Sequence, residues 1–228
     1  MLGVISNSLA IIVGGLIGIV FKKYIPKNLG NTLMKALGLC VIYIGIDGAL
    51  KGENTLILIL SIVIGTIIGT LLKLEDRFSN FTYRIENKFR KNENSKNTSF
   101  SEGFINASLL FCVGAMAVVG SLQAGISGDN SPLYTKSILD GISSVIFSSA
   151  MGVGVLFSAI PIFIYQGAIT LLSNVVSPLL DTACVNEMTS AGSLLIIAIG
   201  FNMMGITKIK IMDMLPAVFL PILLCIFM

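Results

Sequence analysis

LMKALGLCVIYIGIDGALK (33–51) is the stretch whose reading decides the fold. It is apolar and rich in small residues, and as a helix it is long enough to cross the hydrocarbon core of a bilayer. Before its closing Lys51 it carries two ions, Lys35 and Asp47. It also has an echo. Shifted by 155 positions, ALGLCVIYIGID (36–47) lies over AGSLLIIAIGFN (191–202). Ala36/Ala191, Leu39/Leu194, Ile42/Ile197, Ile44/Ile199 and Gly45/Gly200 are identical, and Asp47 falls on Asn202. In a membrane such an echo points to two related halves, an architecture typical of transporters.

Composition sets the class. The chain is 54% hydrophobic and 12% charged, about half the charge of a soluble domain, with a mean hydropathy of +0.91. Its length allows about eight helical crossings and one polar insert. The small net charge of +3 gives no footing for nucleic acid. The first apolar run starts at Gly3 with no basic residue before it, and Lys22, Lys23 and Lys27 follow it. That order reads as a retained first helix, not a cleaved signal peptide. There is no histidine, which removes the usual proton shuttle and the commonest metal ligand. Cys40, Cys112 and Cys225 sit in apolar runs and Cys184 in an expected loop, with no spacing that suggests zinc or a disulfide framework.

The expected spans are 3–21, 29–50, 55–72, 104–125, two spans dividing 134–180 near Ala159–Pro161, 188–205 and 214–228. Gly14/Gly18 and Gly65/Gly69 form Gly-x-x-x-Gly faces for close helix contact, or for a homodimer. Between residues 74 and 102 the chain is polar. Phe78, Phe81, Ile85 and Phe89 recur there at helical spacing, the pattern of an amphipathic helix in the headgroup layer, followed by a flexible KNENSKNTS linker. The expected fold is therefore an all-α membrane protein. Residues 1–73 form a first half, 74–102 a cytoplasmic amphipathic helix and linker, and 103–228 a second half.

Basic residues set the orientation. With both termini outside, twelve lie in inner loops against two, Lys51 and Lys136, in outer ones. Spans two and seven then cross in opposite directions. Spans one to three and six to eight become inverted-topology repeats, with Gln166 in YQGAI in the part of Asn7 in SNSLA.

Four stretches are similar to a known family: GVISNSLAIIVGGLIG (3–18), SLLFCVGAMAVVGS (108–121), GISGDNSPLYTKSILDGISS (125–144) and FSAIPIFIYQGAITLL (157–172). They resemble the domain-of-unknown-function 554 family of bacterial inner-membrane proteins, and the resemblance covers nearly the whole chain. It implies a polytopic protein of the bacterial cell membrane, a transporter or channel of small solutes. It supplies no substrate and no catalytic residues.

An ion inside hydrocarbon costs at least about 2.5 kcal/mol, so each one calls for an account. Asp47 reads either as an interfacial cap or as a cation-coordinating carboxylate opposite Asn202. Asp140 follows Lys136 by four residues, so the two can pair on one helix face, or Asp140 can line a cavity with Ser143 and Ser144. Oxygen ligands of this kind suit Na⁺ or a proton. Lys35 snorkels to the inner headgroups. Asn7, Asn106, Gln123, Gln166 and Asn202 read either as interhelical hydrogen-bonding groups or, as a set, as the lining of a polar path. Gly152 and Gly154 mark where span five breaks or packs closely.

The leading expectation is a secondary transporter of a small solute or ion. Its site lies at the midplane between inverted repeats, built from Asp47, Asp140, Asn7, Gln166 and Asn202. Lys35, Lys136, Gly152 and Gly154 support or gate it. No resident cofactor is expected, Na⁺ or H⁺ is the candidate coupling ion, and the chain is expected to form a homo-oligomer. An oligomeric channel is the alternative, although no filter-like ring of carbonyls or charges is visible. An intramembrane enzyme stands last, because the sequence has no HExxH and no Gly-x-Ser-x-Gly.

Overall fold

A computed structural model describes residues 1–22, 27–80 and 99–227, and every structural statement below concerns them. They are helical, with no strand among them. The helices are α1 (Leu2–Lys22), α2 (Lys27–Ala49), α3 (Thr55–Leu71) and α4 (Leu74–Asn80). Then come α5 (Ser99–Cys112), α6 (Ala115–Ile126), α7 (Ser131–Met151), α8 (Gly154–Phe157), α9 (Ala159–Leu171) and α10 (Ser173–Val176). A 3-10 turn (Ser177–Leu179) leads to α11 (Thr182–Met203), followed by α12 (Ile211–Met214), a second 3-10 turn (Leu215–Val218) and α13 (Leu220–Phe227).

Four helical stretches are long and apolar enough to cross a bilayer, and six are if each bent pair is one span. Leu9, Val13, Leu16 and Val20 on α1, and Leu56, Ile59, Val63 and Ile67 on α3, are exposed. Such stripes are stable against lipid and not against water. This is the architecture of a helical membrane protein.

Several expected spans are divided. Residues 104–125 are two helices, α5 and α6, set at 58° to each other. They break at Gly114, whose φ of +141° is a conformation that suits glycine. The division of 134–180 falls at Gly152 (φ +86°) and not at Ala159–Pro161. Pro161 instead sits in the first turn of α9, where a missing N–H costs little. The last segment is interrupted by 3-10 geometry around Pro216. α11 starts six residues earlier than expected, because Asp181 caps it by accepting from the Cys184 N–H at 2.8 Å. Cys184 is thereby buried in a helix instead of lying in a loop. Of the expected amphipathic helix, 74–80 is helical, and 81–98 lies outside the described residues.

In lipid there is little hydrophobic drive between helices, so close packing of small residues takes its place. α1 and α7 run parallel in a single register. Asn7 meets Asp140, the Ile11 carbonyl accepts from Ser144 Oγ (2.7 Å), and the Gly15 carbonyl accepts from Ser148 Oγ (3.0 Å). The pair closes this tightly because a Cβ on Gly14 or Gly18 would collide with the Gly141 or Val145 carbonyl. α2 and α11 run antiparallel. A Cβ on Gly45 would lie 2.6 Å from Ile197 Cγ1 and 2.9 Å from the Ser193 carbonyl oxygen. A Cβ on Gly200 would lie 2.5 Å from Ile42 Cγ1 and 2.8 Å from the Gly38 carbonyl oxygen. The two contact sets are counterparts, each residue 155 positions from its equivalent. Gly65 and Gly69 of α3 pack on Ala217 and Asp213. Both Gly-x-x-x-Gly faces are thus occupied within the chain, so a homodimer would have to use other surfaces.

Candidate functional site

The α1–α7 seam holds the buried ions. Lys136 and Asp140 sit one turn apart on α7, with Lys136 Nζ 2.8 Å from Oδ2 and 2.9 Å from Oδ1 of the carboxylate. Both side chains are more than nine-tenths buried. From α1, Asn7 Nδ2 donates to Asp140 Oδ2 (3.0 Å) and to Gln166 Oε1 on α9 (3.1 Å). Asn7 and Gln166 are fully buried. Three helices thus bring four polar side chains to one point.

The hydrogen-bond polarity of the cluster is fixed from one end. A carboxylate only accepts, so Asn7 must turn its amide nitrogen toward Asp140. Gln166 must then turn its oxygen toward Asn7. What remains is one acceptor, Asn7 Oδ1, and one donor, Gln166 Nε2, both buried and without a partner. A buried unpaired polar atom costs about 1–3 kcal/mol. An ordered water or the polar groups of a small solute would satisfy both.

Asn7 is five residues along α1, about 8 Å of rise from its start. Asp140 is nine residues along α7, close to that helix's middle, so the cluster lies between the centre of the bundle and the end where α1 begins. On that side a thin apolar layer of Val4, Ala124 and Leu133 covers it, tied down by the Gly3 N–H donating to Asn130 Oδ1 at 2.9 Å. On the other side it meets the main core, including Ile11, Phe147 and Met151.

The remaining expected site residues lie elsewhere. Asp47 is exposed and 3.7 Å from Lys51, which lies four residues on, just past the end of α2. Asn202 organises the loop after α11. Its Nδ2 donates to the Ile209 carbonyl (2.8 Å), and its Oδ1 accepts from Thr207 Oγ1 (2.7 Å) and the Ile209 N–H (2.9 Å). Lys35 is exposed on α2. Gly152 ends α7, and Gly154 lets α8 touch the Phe100 backbone.

Two buried acidic groups were not expected. Glu187 Oε1 accepts from the Glu53 and Asn54 N–H groups at 2.7 and 2.8 Å, closing the start of α3 onto α11, while its Oε2 has no partner. Asp213 Oδ1 accepts from the Glu75 N–H (2.9 Å), and Glu75 Oε2 accepts from the Met212 N–H (3.2 Å), a reciprocal clasp of α4 and α12. Asp181 followed by Thr182 is a helix-start signal that would have placed Glu187 inside α11. No sequence signal marks the Glu75–Asp213 clasp. No cluster of His, Cys, Asp or Glu suited to a metal occurs among the described residues.

The family model "Protein of unknown function (DUF554)" matches residues 2–226. The chain belongs to that family. It is 34% identical over 225 residues to the uncharacterized membrane protein YdfK of Bacillus subtilis, covering 97% of this chain and 94% of YdfK. It is 27% identical over 221 residues to the uncharacterized protein YqgA of Escherichia coli, covering 96% of this chain and 94% of YqgA. No solved structure matches. The family assignment agrees with the sequence resemblance, and membrane residence agrees with the apolar helices of this DUF554 protein.

Proposed function

We propose that this DUF554 protein is a secondary transporter of a small solute or ion in the bacterial inner membrane. The Asn7–Lys136–Asp140–Gln166 cluster is its binding site and Na⁺ or H⁺ its candidate coupling ion. The observation that carries the reading is the cluster itself: an ion pair and two unpartnered amide atoms, buried where α1, α7 and α9 meet. Burying an ion pair costs several kcal/mol per ion before any attraction is counted. A purely structural junction gains little from it, whereas a site that exchanges partners with a solute needs it.

An inverted-repeat reading is supported by the counterpart contacts of Gly45 and Gly200. Two further pairings agree with it: α1 bonds α9 through Asn7 and Gln166, and α3 packs on α12 and the turn after it. Each of the first three spans in this reading touches the span assigned to it as counterpart among spans six to eight. In this reading the chain crosses eight times with both termini outside. The site sits between the midplane and the end where α1 begins, and the layer of Val4, Ala124 and Leu133 is its outer seal. Catalysis forms no part of the proposal.

A thermal-shift screen of the purified protein against Na⁺, K⁺, H⁺ and small metabolites tests it. A ligand at a hundred times its Kd stabilises by about 2.7 kcal/mol. The expected result is a saturable shift that is lost in Asp140→Asn and kept in Asp47→Asn. A shift of full size in Asp140→Asn would remove the cluster from the site. Single-channel current steps in a planar bilayer would replace the carrier with the channel.

A further inference from the structure

Two recesses lie side by side, and none of Asn7, Lys136, Asp140 or Gln166 lines either. The first is an apolar cavity of about 280 Å³ walled by Phe78 on α4, Phe104 and Leu109 on α5, Tyr165 on α9, and Leu215 and Phe219 beyond α12. Ser108 adds a hydroxyl with no hydrogen-bond partner. The second is a polar recess of about 490 Å³ that shares Ile105 as a wall and is lined by Glu75, Glu102, Lys208 and Lys210. Taken together, the two have the size and the mixed lining of ligand sites.

The two compartments together have the polarity of an amphiphile. The lining of the polar one carries two carboxylates and two ammonium groups, and at its edge Lys210 Nζ also lies 4.0 Å from the exposed Asp76, so positive charge there does not exceed negative. A purely anionic headgroup facing Lys208 and Lys210 would leave Glu75 and Glu102 unopposed. A free fatty acid brings no cation for them. A headgroup with both a phosphate and an ammonium complements all four. Lysine-bearing recesses beside transmembrane helices are recognised headgroup sites.

We propose that the paired recesses bind one phospholipid of the surrounding bilayer with a zwitterionic phosphate–ammonium headgroup. An acyl chain fills the apolar cavity, the phosphate faces Lys208 and Lys210, and the ammonium faces Glu75 and Glu102. The site borders the Glu75–Asp213 clasp and lies against α4, which is set at 53° to α3. The bound lipid is therefore a structural partner of that bend.

Photolabelling of the full-length protein in lipid nanodiscs tests the proposal. The probe is phosphatidylethanolamine bearing a diazirine in one acyl chain, and labelled peptides are mapped after proteolysis. Label is expected in 104–113 and 212–219. Unlabelled phosphatidylethanolamine should compete, and phosphatidylglycerol or palmitic acid should compete at least tenfold less well. Lys208→Ala and Lys210→Ala should each weaken competition about fivefold. Ser108→Phe should abolish the label by filling the cavity, and Cys112→Phe serves if that variant does not reach the membrane. Labelling elsewhere, labelling unchanged by either filler, or equal competition by phosphatidylglycerol or palmitic acid would overturn the proposal.

Discussion

The α1–α7 and α2–α11 pairs are built on the same principle and filled with different chemistry. Both bring backbones together by removing side chains, at Gly14 and Gly18 in one and at Gly45 and Gly200 in the other. The α1–α7 seam then adds an ion pair and hydroxyl groups bonded to the opposite backbone. The α2–α11 seam places isoleucines against glycines along the echoed stretches and, just beyond them, bonds Ser190 Oγ to the Ala49 carbonyl at 2.8 Å, so the buried ion pair, not the hydroxyl bonds, is what separates the two seams. Close packing alone is enough to hold two helices in lipid. In the proposed transporter, the contrast would give scaffold duty to α2–α11 and the solute to α1–α7.

The largest effect is expected where one ion is left without its partner. Lys136→Met strands a buried Asp140 and should cost about 3–5 kcal/mol in unfolding experiments in detergent. Lys136→Met combined with Asp140→Leu should recover most of that loss while abolishing transport. An equal loss in the single and double variants would mean that pairing is not what makes the seam costly to disturb.

Next come the glycines. Gly14→Val and Gly45→Val should each cost about 1–3 kcal/mol or more, because backbone that cannot step aside lies against each: the Gly141 carbonyl at Gly14, and the Ile197 nitrogen and Ser193 carbonyl behind the Ile197 side chain at Gly45. The counterpart contacts sharpen this: Gly45→Ala and Gly200→Ala should lose equal stability within about 0.5 kcal/mol. Unequal losses would weaken the repeat.

A smaller effect is expected at Asn202→Ala, about 1–2 kcal/mol, since three loop hydrogen bonds go while neighbouring water replaces some of them. Flux should be unchanged. The smallest belongs to Asp47→Asn, below about 1 kcal/mol and with full flux, as for other exposed ion pairs. Loss of flux in Asp47→Asn would return that carboxylate to the site.

Much of the polar seam was legible in the sequence. Asn7 and Gln166 stood out as polar groups in otherwise apolar spans, and Lys136 and Asp140 had the spacing of a helical pair. Gly-x-x-x-Gly at 14–18 and 65–69 announced close contacts. The meeting of Asn7 with Asp140 was not legible, because it depends on the parallel register of two helices 133 residues apart. The exposure of Asp47 was not legible from its alignment with Asn202, because similarity along a helix says nothing about which face a residue occupies. Gly114 looked like any other small residue in a span until its backbone angle was known. Glu187 and Asp213 were hidden for the same reason as the register, since their partners are backbone N–H groups far away in the chain.

Cysteine accessibility compares the two seams most directly. Ser137→Cys on α7, beside Lys136, and Ser193→Cys on α11, beside Gly45 and Gly48, are placed singly in a variant lacking the four native cysteines. Both positions are buried in the structure. A transporter must open its binding seam to water during its cycle, and a scaffold seam stays shut. A hydrophilic methanethiosulfonate is therefore predicted to modify Ser137→Cys and to leave Ser193→Cys untouched. If both stay inert, or both react alike, the division between a working seam and a scaffold seam is wrong.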